Sequence, residues 1–488
     1  MKKKGFTLIE LLAVIVVLAI IALIATPIVL NLINTARIGA AEQSATGYVK
    51  AIENAIMNDM MNNKSISNGI YSYDYLNIDV SGNKPTSGEY SVKNGSVESA
   101  TFCINNYVIE YKDGESKKVQ DTCDEFNDML KINTLIQNIK NKITSQTQEG
   151  VYYFDDSGNL DYNQDNIKIE LNDENKDKVK GNISIYNNNV IYACMNYNNK
   201  NYEYEYRTDK VSSTNYKCST VRGENLVVNG DLSYKNNSYF PALTYSNDSF
   251  SAKGNVLAIS QKHIPIDPNK SYEIGVEMKT SNPEATYTVG FVEYDVDKNT
   301  VDASSVMFIN NTLTELAQDL NNGDTTIYLK DMKNWWSTAS GTYNSYNRGI
   351  AFWNYKDSTG YEYPELTYTR NYKTDIYTNE NIDKTNNTLT LSSPWNGGSY
   401  KAGTKVSQPA IGDFRNYSIL KNTTITTEWT LYKTSKNITG TITDGVNNTP
   451  LYSFRPGTKY VTIYLSLDNN KVDATTNIRN IYFKEVTN

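Results

Sequence analysis

At 488 residues the chain is longer than one hydrophobic core normally supports, so two to four domains are expected. The net charge is -7 and no Lys/Arg block follows the first four residues, which excludes an electrostatic footprint for nucleic acid. A single histidine, His263, leaves His-based triads and multi-histidine metal sites almost nothing to build on, so no enzyme, cofactor or metal centre is expected.

The chain opens with the basic residues Lys2, Lys3 and Lys4, and an uninterrupted apolar run extends from Leu11 to Ala25. A basic start before an apolar stretch is a targeting or anchoring signal. Glu10 stands at the head of that stretch, where a carboxylate is costly unless it finds a partner. The order Lys4-Gly5-Phe6-Thr7-Leu8-Ile9-Glu10 resembles the type IV prepilin family, with Gly5 ending the leader and Glu10 as the fifth mature residue. The resemblance implies cleavage between Gly5 and Phe6 by a prepilin peptidase and N-methylation of Phe6. It also implies that Glu10 pairs with the terminal amine of a neighbouring pilin subunit, and that Pro27 is the family's helix-weakening proline. The competing reading is a secretory signal peptide cut near Ala25, or a simple signal anchor.

Beyond Ile33 the apolar positions thin to Ala41, Ala45, Tyr48, Ile52 and Ala55/Ile56, the spacing of one helical face. One helix is therefore expected over 6–61, roughly 80 Å long at 1.5 Å per residue. Its first half would lie in the inner membrane before assembly and in the filament core afterwards, while its second half would pack against a head.

A first head is expected over 62–123 and a second over 124–221, because the order of features repeats. Gly69-Ile70-Tyr71 is echoed by Gly150-Val151-Tyr152, and a second apolar face is formed by Phe126, Met129, Leu130, Ile136, Ile139 and Ile143. Cys103 and Cys123 lie in the first segment, Cys194 and Cys218 in the second. Four cysteines allow three connectivities. Pairing within each segment, Cys103 with Cys123 and Cys194 with Cys218, closes two short loops worth about 3 kcal/mol each. A zinc site lacks any Cys-x-x-Cys or nearby His, and free structural thiols are the remaining alternative. Two-headed minor pilins occur in the family, and the resemblance covers roughly residues 1 to 220.

From 222 to 488 the composition shifts. Tyr272–Met278, Thr286–Tyr294 and Lys459–Leu467 alternate apolar with polar residues, as half-buried strands do. The opening run Glu224 to Leu232 and the closing run Thr476 to Lys484 resemble the ends of jelly-roll carbohydrate-binding modules. About 312–410 reads as an inserted β module. The fold class expected is thus α+β: a long helix, two tandem pilin-type heads, then an all-β sandwich with an insertion.

Trp335, Trp336, Trp353 and Trp395, with Tyr343, Tyr346, Tyr361 and Tyr363, cluster in Gly/Asn/Ser-rich sequence. Exposed rings beside amides can stack on sugars, so these are candidate glycan-binding residues, against the alternative of ordinary core packing. Asp295-x-Asp297-x-Asn299 lacks the glycine and the bidentate Glu of a calcium loop and reads as a turn, as does Asp155 to Asn159. Glu273, Glu277 and Glu293 lie on strands with no spacing that suggests paired catalytic carboxylates. The expected function is a minor subunit of a type IV pilus, a single-pass membrane protein before assembly and a surface filament component afterwards. Its head would meet a host or cell-surface glycan or protein. A pseudopilin of a secretion or DNA-uptake system is the alternative.

Overall fold

The computed structural model describes residues 8–62, 64, 66–80, 82–162, 168–170, 178–338, 347–410, 416–442, 445 and 452–487. Gly5, Phe6, Tyr343 and Tyr346 lie outside them. The chain forms one long N-terminal helix and a mostly β body of several antiparallel sheets, an α+β architecture. It divides into two compact units, residues 1–134 and 135–488.

In the first unit, helix α1 runs from Leu8 to Met61 with Pro27 inside it. Leu, Ile and Ala dominate its first half and are strong or tolerable helix formers, and nothing among the described residues covers them: the large apolar residues from Leu8 to Ile33 are exposed. Burial begins at Ala41 and follows one face through Ala45, Tyr48, Val49, Ile52 and Ile56. That face packs on an antiparallel meander of β1 (Gly69–Ser72), β2 (Ser87–Lys93), β3 (Ser96–Ile104), β4 (Tyr107–Lys112) and β5 (Glu115–Gln120), in that spatial order. Small Ala41 and Ala45 permit close approach, and Tyr48 meets Phe102 edge-on at 5.4 Å. Polar contacts fix the register: Tyr48 Oη donates to the Tyr73 carbonyl at 2.8 Å, and the Lys118 amide donates to Glu42 Oε1 at 2.9 Å.

Helix α2 (Asp124–Lys140) carries Asp124 and Glu125 in its first turn and Lys140 in its last, matching the helix dipole. It ends before Ile143, so that member of the expected apolar face lies past the helix.

In the second unit a seven-stranded sheet is built from β6 (Gly150–Phe154), β7 (Leu160–Asp161), β8 (Lys168–Ile169), β9 (Lys180–Tyr186), β10 (Asn189–Tyr197), β11 (Lys200–Glu205) and β12 (Lys210–Thr214). Its order is β12-β11-β10-β9-β6-β7-β8. The run β6-β9-β10-β11-β12 has the same neighbour order as β1 to β5. The second residue of β2, Gly88, and the second residue of β9, Gly181, both hold φ near +147° (+146° and +148°), where a Cβ would strike the backbone of β3 or β10. Hairpins of both sheets turn on residue pairs with positive φ, Asn94-Gly95 and Asn105-Asn106 in one, Asn187-Asn188 and Asn198-Asn199 in the other. A bridge joins Cys103 on β3 to Cys123 (Cα–Cα 5.8 Å), and another joins Cys194 on β10 to Cys218 (5.4 Å).

Two further sheets share one core. One comprises β13 (Thr244–Ser246), β14 (Ser249–Lys253), β17 (Ser271–Thr280), β27 (Thr430–Lys433) and β29 (Thr475–Val486). The other comprises β15 (Val256–Ile259), β16 (Ile264–Pro265), β18 (Thr286–Tyr294), β26 (Leu420–Thr424) and β28 (Tyr460–Leu467). Ile274, Val276 and Phe483 from the first meet Val289, Phe291 and Ile463 from the second, which makes the pair a β-sandwich. Between β18 and β26 lie two small sheets with their own core, made of β19 (Thr314–Glu315), β21 (Ile350–Phe352), β22 (Tyr372–Lys373) and β25 (Lys405–Ser407), and of β20 (Thr326–Tyr328), β23 (Ile382–Asp383) and β24 (Thr388–Thr390).

Candidate functional site

The structure separates the candidate residues into a helix that is built for contact with something outside the chain and aromatic residues that are not. Near the foot of the head, Tyr107 Oη donates to Asn34 Oδ1 of α1 at 2.6 Å. From Leu8 to Ile33 the helix is about 39 Å long at 1.5 Å per residue, enough to cross a hydrocarbon layer of about 30 Å. It is the one helix among the described residues that is long and apolar enough to cross a membrane. Glu10 lies in its first turn, where the helix N-terminus favours a carboxylate, and it is exposed along with the apolar side chains around it. Pro27 supplies no amide hydrogen, so the carbonyl one turn before it loses its helical partner while the helix continues.

The tryptophans do not form one surface. Trp335 (1% exposed) and Trp395 (4%) belong to the core of the small sheets, and Trp353 (4%) packs with Phe308 and Ala351. Their indole N–H groups are occupied by the Thr312 carbonyl, the Gly398 carbonyl and Ser407 Oγ, respectively. These three cannot stack on a sugar, which corrects the expectation drawn from their clustering; large aromatics fill small β cores. Trp336 is 52% exposed, its backbone held by Gln408. Tyr363 is buried and its hydroxyl meets Tyr186 Oη and Asp357.

The carboxylates are likewise committed. Asp295 Oδ1 accepts from the amides of Asp297 and Asn299, and Oδ2 from Tyr368 Oη, closing a turn. Asp155 Oδ1 does the same for Ser157 and Asn159. Glu273 pairs with Lys433 and Glu277 with Arg479 across neighbouring strands. Glu293 is buried and its acidity is weakened by desolvation, with Arg455, Asn416 and Thr458 around it.

Sequence reasoning missed how the second sheet is joined to the sandwich and to the segment inserted in it. Tyr162 Oη donates to buried Asp267 at 2.7 Å, Lys270 Nζ to the Val151 carbonyl at 2.7 Å and Tyr186 Oη to Asp357 at 3.0 Å. Lys262 pairs with Glu203 and Lys298 with Glu205. Burial pushes the Lys459 ammonium, over the Tyr186 ring, down to about 8. The abundance of tyrosine is the only sequence signal for this junction, since a phenol brings both apolar area and a hydrogen-bonding tip.

Residues 1–26 match the prokaryotic N-terminal methylation motif. A search of curated proteins gave no match. A leader of this kind implies processing by a prepilin peptidase and assembly with other pilin subunits, and with the apolar helix behind it fits membrane anchoring before entry into a surface filament. The motif and the uncovered half of α1 together support a type IV pilin-like or pseudopilin-like protein.

Proposed function

We propose that the chain is a minor subunit of a type IV pilus, assembled through α1 and displaying a large non-enzymatic head for adhesion or surface recognition. The observation that carries this reading is an apolar helix surface left bare from Leu8 to Ile33, directly behind a methylation-type leader and headed by Glu10. Burying that surface in a bundle of like helices is favourable, and the carboxylate makes assembly depend on a neighbour's processed amine. The corresponding strand orders of the two disulfide-bearing sheets favour a duplicated pilin-type head, the second with α2 in place of a membrane helix. The sandwich is read as a jelly-roll-like binding module.

Bulk favours sparse incorporation. Helices in a bundle pack at about 8–10 Å, whereas a compact body the size of residues 135–488 has a radius of gyration of about 20 Å. Such bodies would crowd one another if every subunit of a fibre carried one, so tip or occasional placement beside a smaller major pilin is expected.

The test is incorporation of Glu10→Leu protein into filaments, alongside wild type. A strong loss, with normal membrane insertion, supports assembly through the carboxylate. Normal incorporation would sink the proposal. A pseudopilin of a secretion or DNA-uptake system shares the leader and is told apart by location: retention in the envelope, with no long extracellular fibre.

A further inference from the structure

The outer face of one sandwich sheet is formed by β17, β27 and β29, whose core-facing residues alternate with residues that point away from the core. The outward charged side chains on these strands are Lys279, Lys433, Arg479 and Lys484 against Glu273 and Glu277. That is an excess of cations on a chain whose net charge is -7. Glu273 takes Lys433 at 2.9 Å and Lys484 at 3.8 Å, and Glu277 takes Arg479 at 2.6 Å. Lys279 has no acidic partner among the described residues. It stands instead 5.1 Å from the centre of the half-buried Trp429 ring, which the Arg479 guanidinium also meets, at 4.3 Å.

One indole therefore gathers two cations for a single carboxylate. Each is attracted to the ring, yet the two repel one another, and an anion placed between them would relieve that cost. Arg479 is prepared to receive one. Its Nε donates to Glu277 Oε2, the indole holds the guanidinium plane, and neither Nη nitrogen makes a hydrogen bond among the described residues. A guanidinium fixed in this way, at a side chain that is 40% exposed, presents paired donors that match a carboxylate.

The neighbouring surface suits the rest of a sugar. Gly275 stands two residues before Glu277 on β17, about 7 Å along the strand. A Cβ at Gly275 would come within 2.5 Å of the Tyr482 ring, so the glycine lets that partly exposed ring rest on the sheet, with Tyr482 Oη donating to Glu273 Oε1 at 2.8 Å. The carboxylates of Glu273 and Glu277 can accept from hydroxyl groups and would repel a continuous polyphosphate.

We infer that this face binds an acidic glycan, with the carboxylate of one sialic or uronic acid residue held by Arg479 and Lys279 beside Trp429 and the sugar ring lying toward Tyr482. The site gives a ligand class to the surface recognition in the proposed function and rests on that part of it. Assembly through Glu10 is tested by separate variants, so either can fail alone.

The test titrates the full chain, in a neutral detergent, with sialyllactose, digalacturonate, lactose and single-stranded DNA. Saturable binding of at least one acidic sugar is expected, about tenfold or more tighter than lactose and falling as salt is raised. Arg479→Gln should weaken it about tenfold and Lys279→Gln about threefold, while Lys330→Gln, whose lysine pairs with Glu315 outside this face, should leave it unchanged. Lys279→Gln removes no ion pair or hydrogen bond, so its melting should match wild type and any loss of binding belongs to the site. Failure of both acidic sugars to bind, lactose binding as tightly as they do, or binding that ignores both face variants would each overturn the inference. Saturable binding of the DNA in place of the sugars would overturn it in favour of a nucleic-acid surface.

Discussion

The two disulfide-bearing sheets share a strand order and differ in what covers them. In the first, β2 alternates buried and partly exposed residues, the signature of a sheet with one wet face, and α1 supplies the dry side. In the second, β6 is buried along its whole length and β10 nearly so. The difference teaches that strand order alone does not set a sheet's role. The first sheet holds a helix whose other half is uncovered, whereas the second acts as a base into which the sandwich is pinned by buried tyrosine–carboxylate hydrogen bonds.

Truncation breaks this comparison most directly. A fragment of residues 124–488 should melt cooperatively, since it keeps every pin; a fragment of 223–488 should lose cooperative melting, because Asp267 and Lys270 would be left without Tyr162 and Val151. Calorimetry on both decides it, and equal, cooperative melting of the shorter piece would show that the second sheet is a dispensable neighbour.

Next in size are the bridges. Cys103→Ser/Cys123→Ser and Cys194→Ser/Cys218→Ser each open a loop of similar length, with separations of 20 and 24 residues, and each should cost about 3 kcal/mol. The first pair should lower only the transition of residues 1–134, and the second only that of 135–488, in denaturant titrations with site-specific probes. Asp267→Asn should cost about 2 kcal/mol by weakening the bond from Tyr162, read as a shift of the chemical-denaturation midpoint without a change in slope.

The smallest effect is one of pH. Burial lowers His263 in the folded chain to about 4, so between about pH 6.5 and 4 the unfolded chain takes up a proton that the folded chain refuses. Stability should therefore fall on acidification across that window, and His263→Gln should flatten the fall by less than one proton's worth, His263 being partly open to solvent. As the chain has no other histidine, the difference between the two pH profiles belongs to this residue. Parallel profiles would mean that the imidazole is protonated in the fold.

What the sequence made legible is what local chemistry decides. Glu10 inside an apolar run, the helical spacing from Ala41 to Ile56, the grouping of four cysteines as two local pairs and the alternation along β17, β18 and β28 all act over a few residues or turns. The tryptophans were illegible for the opposite reason: Trp335, Trp353 and Trp395 lie in loop-like composition, yet their burial depends on partners such as Thr312, Ser407 and Phe308 far along the chain. The same holds for Tyr162 with Asp267 and Tyr186 with Asp357, which are 105 and 171 residues apart. No window of sequence contains both ends of such a contact.

Mass analysis of the mature N-terminus, on protein taken from its native cell envelope, tests the central claim most directly. A chain that begins at Phe6 with one added methyl group is the predicted result. A chain that keeps Met1, or one that begins after Ala25, would contradict assembly through Glu10 and the uncovered face of α1.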